Sequence, residues 1–120
     1  MENLEITGIH YEIDAKTKAY ITKKASKLID YIPRHARESA SAKVTITKID
    51  RKDNNTYECE LILNLPGKTL VASDSTMNAM AAVDIVEEKI LGQIRRYKDE
   101  GKKDGPRGIM ARVKRSLRRR

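Results

Sequence analysis

Thr56-Tyr57-Glu58-Cys59-Glu60-Leu61-Ile62-Leu63-Asn64-Leu65-Pro66-Gly67-Lys68-Thr69-Leu70-Val71-Ala72-Ser73 is the stretch that decides the fold. Tyr57, Cys59, Leu61, Leu63 and Leu65 fall on alternate positions, the period of a strand with one buried face. Pro66-Gly67 is turn chemistry between two such runs, so Thr56–Leu65 folds back as a hairpin onto a further strand, Lys68 to Ser73. Upstream, Ala42, Val44, Ile46 and then Ile49 mark a strand over 42–49, and Asp50-Arg51-Lys52-Asp53-Asn54-Asn55 is a polar turn. These three strands form an antiparallel meander.

Working outward toward the N-terminus, Leu4-Glu5-Ile6-Thr7-Gly8-Ile9 alternates until Gly8 and reads as a first strand. Asp14 offers an N-cap oxygen to a helix from Ala15 to Ile32, which Pro33 stops. At about 100° per residue, Ile21, Ala25, Leu28, Ile29 and Ile32 share one side of that helix. Toward the C-terminus, Asp74, Ser75 and Thr76 supply capping oxygens for a second helix, Met77 to Asp99, ended by Gly101. Its apolar stripe is Met80, Val83, Val86, Ile90, Ile94 and Tyr97. The order is β-α-β-β-β-α, an α+β fold. A right-handed crossover makes the first two strands parallel neighbours, giving a four-stranded mixed sheet with both helices packed on one face. That order resembles a double-stranded RNA-binding domain with an added initial strand.

The chain has 120 residues and five Tyr but no Phe or Trp, so one domain with an aliphatic core is expected, and base stacking on aromatics is a weak prospect. The expected division is a folded domain over 1–100 and a basic, disordered tail over 101–120. The tail holds nine Lys and Arg against one acid, a net +8 that equals the formal charge of the whole chain. Residues 1–100 are balanced, with 16 basic and 16 acidic side chains. A neutral body with a cationic arm suits a polyanion, because Lys and Arg that neutralise phosphates release counterions. Ile109, Val113 and Leu117 recur every four residues, so this segment, with Arg112, Lys114 and Arg115 as RNA-binding candidates, is expected to form a short helix on contact with RNA.

The body carries further candidates. Lys16, Lys23 and Lys27 fall together on the side of the first helix opposite its apolar stripe, with Lys24 beside them and no acid among them. A merely solvated face usually mixes Glu with Lys. On the second helix Lys89 and Arg96 stand off one flank of the stripe. Arg95 and Lys98 lie in its last turns, where cations also complement the helix dipole. Side-by-side helices would join these cations into one outer surface, while Glu58, Glu60 and Asp53 sit on the third strand and its turn.

These residues resemble the ribosome hibernation-promoting factor and ribosome-associated inhibitor family of bacteria. The resemblance runs from Leu4 to about Glu100. It rests on Ile6-Thr7-Gly8 with Glu12-Ile13, Lys27-Leu28, Val71-Ala72-Ser73, and Asn78-Ala79-Met80-Ala81-Ala82-Val83-Asp84 followed by Lys89, Gln93, Arg96 and Lys98. The family carries Asp-Met-Tyr-Ala-Ala-Ile-Asp and then a Lys-Leu-x-x-Gln-Leu pattern at that last spacing. Asn78 replaces its Asp, Met80 its Tyr, and Gly92 a usual Arg, which removes a cation and costs about 1 kcal/mol of helix propensity.

The resemblance implies a non-enzymatic, cytoplasmic factor for ribosome hibernation. It would sit in the small ribosomal subunit against 16S rRNA in the 70S ribosome, across the decoding channel, occluding messenger and transfer RNA and protecting idle ribosomes under stress. Its contacts would fall on Lys24, Lys27, Lys89, Arg96 and Lys98. The implied form is short, without the C-terminal domain by which long members pair two ribosomes, and monomeric off the ribosome.

Other readings stay open on the residues alone. A general double-stranded RNA-binding module would read phosphates and 2′-hydroxyls with little preference. An enzyme is disfavoured by two isolated His and by the lack of a metal-ligand cluster, nucleophile elbow or glycine-rich phosphate loop, although Asp84 and Glu87 form an i, i+3 carboxylate pair. Anionic lipid could attract the basic tail. Cys59 reads as a small buried hydrophobe. No cofactor or small-molecule substrate is implied, and no stretch is long and apolar enough for a signal peptide or a membrane span.

Overall fold

The computed structural model describes residues 3–50 and 55–102. The expected tail beyond Lys102, with Arg112, Lys114 and Arg115, and most of the 50–55 turn lie outside the described residues. The elements are β1 (Leu4–Ile9), α1 (Ala15–Ile29), α2 (Arg34–Arg37), β2 (Ser41–Ile49), β3 (Thr56–Leu65), β4 (Lys68–Thr76) and α3 (Ala79–Lys102). The sheet order is β1-β2-β3-β4, with β1 parallel to β2 and the other pairs antiparallel. Fold class and strand pairing agree with the sequence reading.

The alternation read in Thr56–Leu65 sets which face is covered. Cys59, Leu61, Leu63 and Leu65 are buried, and the register places Leu61 between Val44 and Ala72, and Leu63 between Ala42 and Leu70. From the helices, Ile21, Ala25 and Leu28 of α1 and Ala82, Val83, Val86, Ile90 and Ile94 of α3 close over this face. Ile21, Ile46, Leu63, Ile90 and Ile94 are among the largest fully buried side chains. Truncating any of them to Ala would cost about 2–5 kcal/mol. Glu5, Lys43, Glu58, Asn64, Val71 and Ser73 are exposed on the other face, which no helix covers.

Four boundaries differ from expectation. α1 ends at Ile29, not Ile32: the amides of Asp30, Tyr31 and Ile32 bond to the carbonyls of Lys27, Leu28 and Ile29, a tightened i to i−3 turn. Pro33 does not end the helical path but opens the short α2, whose Ala36 is fully buried beside Ile32 in the same core. Arg37 secures this corner by donating from Nε to the Ile32 carbonyl at 2.9 Å and from a terminal nitrogen to the Asp30 carbonyl at 3.2 Å.

The third correction concerns the start of the long C-terminal helix. Asp74, Ser75 and Thr76 belong to β4, paired with Cys59, Glu58 and Tyr57, so they do not cap it. Asn78 does, accepting from the amides of Met80 at 2.8 Å and Ala81 at 3.2 Å. Asn or Asp serves there equally well, so this departure from the family pattern is a change within capping chemistry. Gly101 lies inside α3, which runs on to Lys102.

Asp14 caps α1 as expected, accepting from the Thr17 amide at 2.7 Å, and these bonds hold its carboxyl below the usual range. Gly8 meets a steric demand: a Cβ there would lie 2.1 Å from the Tyr11 carbonyl oxygen, where the chain leaving β1 doubles back through His10 at φ 56°.

Candidate nucleic-acid interface

α1 and α3 lie side by side on the sheet, α1 toward β1 and α3 over β3 and β4. Their facing flanks can be read from the polar contacts. The Tyr20 hydroxyl donates to Asp84 of α3, and Lys24 Nζ lies 3.5 Å from Asp84 and 3.6 Å from Glu87. The same ammonium stands 5.3 Å from the Tyr20 ring centroid. Contacts advance along both helices together, so the two run parallel.

This seam alters the reading of α1. Lys24 does not share the open ridge with Lys16, Lys23 and Lys27; its side chain is only 22% exposed and is turned toward two acids that belong to another element. A wheel of α1 alone could not reveal them. Desolvation opposes its charge, but Glu87, Tyr20 and Asp84 outweigh it and raise the Lys24 pKa. Asp84 in turn raises the Tyr20 pKa, chiefly through the hydrogen bond, with burial adding to it. The two carboxylates are therefore an ion-pair partner for Lys24, which accounts for their i, i+3 spacing without catalysis. Lys16, Lys23 and Lys27 are exposed and, among the described residues, have no ion pair.

α3 has two unlike flanks. On the α1 side it carries Asp84 and Glu87, and at about 100° per residue half-buried Met80, Arg95 and Lys98 fall near that flank. The other flank hangs over the edge of β4. There Lys89 donates to the Ser73 carbonyl at 3.0 Å and pairs with Asp74 at 3.1 Å, while Gln93 donates to the Val71 carbonyl at 2.9 Å. β4 is the edge strand of the sheet, and Lys89 and Gln93 satisfy two of its carbonyls from the helix. The Lys89 bond, then the Ser75 amide, lowers the Asp74 pKa. Lys89 and Gln93, read in the sequence as part of one spacing pattern, thus meet in a single structural task at the edge.

Arg96 follows on this flank, in an open groove with Lys68, Leu70, Gln93 and Glu100. Lys68 pairs with Glu100 at 3.3 Å, and Tyr97 reaches the Pro66 carbonyl at 3.2 Å, binding the end of α3 to the β3–β4 turn. Arg95 and Arg96 are exposed and Lys98 half-exposed, without ion pairs among the described residues. α2 was not anticipated, and it presents exposed Arg34 and His35 at the end of the sheet where β2 begins.

No group of three or more potential ligands suited to a metal occurs among the described residues, and none of their helices is long and apolar enough to cross a membrane. Cys59 is 1% exposed, and burial followed by Glu60 pushes its thiol up to about 12, which leaves it protonated and unreactive.

Comparison with solved structures places this architecture. The N-terminal domain of Protein Y from Thermus thermophilus superposes with a TM-score of 0.66 at 22% identity, covering 78% of this chain and 94% of that one. A ribosomal subunit interface protein from Coxiella burnetii gives 0.59 at 22% identity, covering 79% and 96%. Among curated proteins, the ribosome hibernation promotion factor of Deinococcus radiodurans is 26% identical over 99 residues, 82% of this chain and 50% of the relative. The chain therefore spans about half the length of the curated relative it matches. The model of one family covers residues 4–102, nearly all of the described body, and on that match the chain belongs to the sigma 54 modulation protein / S30EA ribosomal protein family.

Proposed function

We propose that this chain is a ribosome hibernation factor that binds the small ribosomal subunit at the decoding channel. There it occludes messenger and transfer RNA, restrains translation and protects idle ribosomes. It does so as a rigid wedge rather than as an enzyme. Family membership over residues 4–102 supports the ribosomal partner. The observation that carries the mechanism is a set of cations on the helix layer without ion pairs among the described residues: exposed Lys16, Lys23 and Lys27 of α1, exposed Arg95 and Arg96 of α3, and half-exposed Lys98 of α3. A groove walled by ribosomal RNA offers phosphates to such a surface, and phosphate contacts fix position and orientation without base readout. Arg112, Lys114 and Arg115 add sequence-independent attraction, which strengthens binding without choosing the site.

The test is cosedimentation of the full chain with purified small subunits in moderate salt, with excess naked RNA duplex as competitor. One copy per subunit, retained against the duplex, is the expected result. Displacement by the duplex would overturn the reading in favour of a general double-stranded RNA binder.

A further inference from the structure

The two helices are joined by a cluster that includes one of the lysines expected to touch RNA. Lys24 faces Asp84 and Glu87 together, so the three side chains sum to −1 in the seam between α1 and α3. Asp84 also accepts from Tyr20, and Glu87 is held low in the seam, one of its carboxylate oxygens buried without a hydrogen-bond partner. Beneath them lies a small void lined by Ile21, Leu28, Val44, Leu61 and Val86, so the cluster roofs the core. A phosphate entering this seam would meet two carboxylates within 4 Å of the one ammonium able to bind it. On the neighbouring ridge Lys16, Lys23 and Lys27 have no ion pair among the described residues, and the charge nearest Lys16 is the Asp14 cap, whose pKa Lys16 helps to lower. The three lysines stand roughly 10 Å and then 6 Å apart along the helix axis, from a rise of about 1.5 Å per residue.

We infer that Lys24 is a positioning residue that clasps α1 to α3, and that Asp84 and Glu87 make the helix seam repel the RNA backbone, which is therefore carried on the outer ridge of Lys16, Lys23 and Lys27. This rests on the reading of the chain as an RNA-binding ribosomal factor, and it divides the candidate cations into those that bind and those that hold the binding face in shape. Asp84 and Glu87 exclude wrong placements: an RNA strand that slipped sideways into the seam would be repelled, so the acids help set the register of the wedge.

The experiment measures binding of the full-length chain against salt concentration, on small subunits and separately on a naked RNA duplex, alongside the thermal midpoint of each variant. Lys23→Gln and Lys27→Gln should each lower the salt slope by about 0.7–0.9 and leave the midpoint unchanged. Lys24→Gln should lower the midpoint by on the order of 4 °C and leave the slope intact. Glu87→Gln should tighten binding in low salt, because it removes a repulsive charge while keeping the shape. If Lys24→Gln lost slope as Lys27→Gln does with its midpoint unmoved, Lys24 would be an RNA ligand and the inference would fall. Equal weakening of binding by Glu87→Gln would overturn the repulsive seam. Should the parent bind duplex but not subunits, the ribosomal reading fails, while the ridge-and-seam pattern is still decided on the duplex; binding to neither overturns both.

Discussion

Gly92 offers a sharp test of how α3 is built. It lies in the middle of a 24-residue helix, and a Cβ added there would meet nothing within 4 Å. Neither close packing nor a left-handed backbone explains the glycine, so it represents propensity forgone. Gly92→Ala should therefore stabilise the domain by about 1 kcal/mol. For a domain of roughly 100 residues, that is a rise of about 4–8 °C in the midpoint followed by circular dichroism at 222 nm. Gly92→Arg should recover most of this gain and add a cation three and four residues before Arg95 and Arg96, one helical turn away on the same surface. If phosphates lie along that surface, the arginine variant alone raises the salt slope of subunit binding, by about 0.7–0.9. An unchanged or lower midpoint for the alanine variant would refute the reasoning about α3. A higher midpoint with an unchanged slope for Gly92→Arg would place that surface away from RNA.

Gly8→Ala forces a Cβ against the Tyr11 carbonyl, and the turn leaving β1 has to open; a loss of about 1–3 kcal/mol in chemical denaturation is expected, and a neutral result would dispose of the steric argument. Asp14 and Asp74 both have lowered pKa values in the folded chain, so their contribution to stability is complete above the ordinary value of 3.8 and disappears as pH falls through the lower folded values. The double variant Asp14→Asn with Asp74→Asn should flatten the acid limb of a stability-against-pH curve below about pH 4. Cys59 should resist a maleimide at pH 7 in the folded protein and react on addition of denaturant; rapid labelling of the native chain would contradict a thiol raised to about 12. Removing residues 103–120 should weaken subunit binding and reduce its salt slope while one copy still binds per subunit, and an unchanged slope would mean that the tail does not touch phosphate.

The sheet was legible because its signals are local. Alternation in Thr56–Leu65, the Pro66-Gly67 turn and the position of Gly8 each depend on a few consecutive residues, and β3 begins and ends where the pattern does. Boundaries failed where a local signal had two uses. Asp74, Ser75 and Thr76 are good capping residues and also tolerable at the end of an edge strand; pairing with Cys59, Glu58 and Tyr57 decided the matter, and pairing is a long-range fact. Pro33 reads as a helix stop, yet it also suits the N-cap of a new helix, and burial of Ala36 rewards the second use. The candidate interface was legible as composition but not as geometry. A helical wheel finds the side on which Lys24 and Lys89 lie, yet their partners Asp84, Glu87 and Asp74 come from other elements, 60, 63 and 15 residues away in the chain.

Whether an electrically balanced body can attract a polyanion depends on the distances between its charges. At physiological ionic strength, exposed charges are largely screened beyond a Debye length of about 8 Å. Glu58 lies on the sheet face that the helices leave uncovered, so a helix layer about 10–12 Å thick and the sheet itself stand between it and the Lys23 ammonium. Glu58 and Lys23 sum to zero on paper without cancelling in solution, and an RNA facing the helix layer meets Lys23 without Glu58. Asp84 and Glu87 are different, because they lie within 4 Å of Lys24 and neutralise it where it stands. The fold thus separates part of its acidic charge from the basic ridge by placing Glu5, Glu58 and Glu60 on the uncovered sheet face, while the acids of α3 remain on the helix layer, Asp84 and Glu87 among them as partners of Lys24. Reversing the charge of Glu58 to Lys should therefore change subunit affinity little, whereas reversing Lys27 to Glu should weaken it severely. Equal effects of the two reversals would mean that net charge, not its arrangement, governs binding.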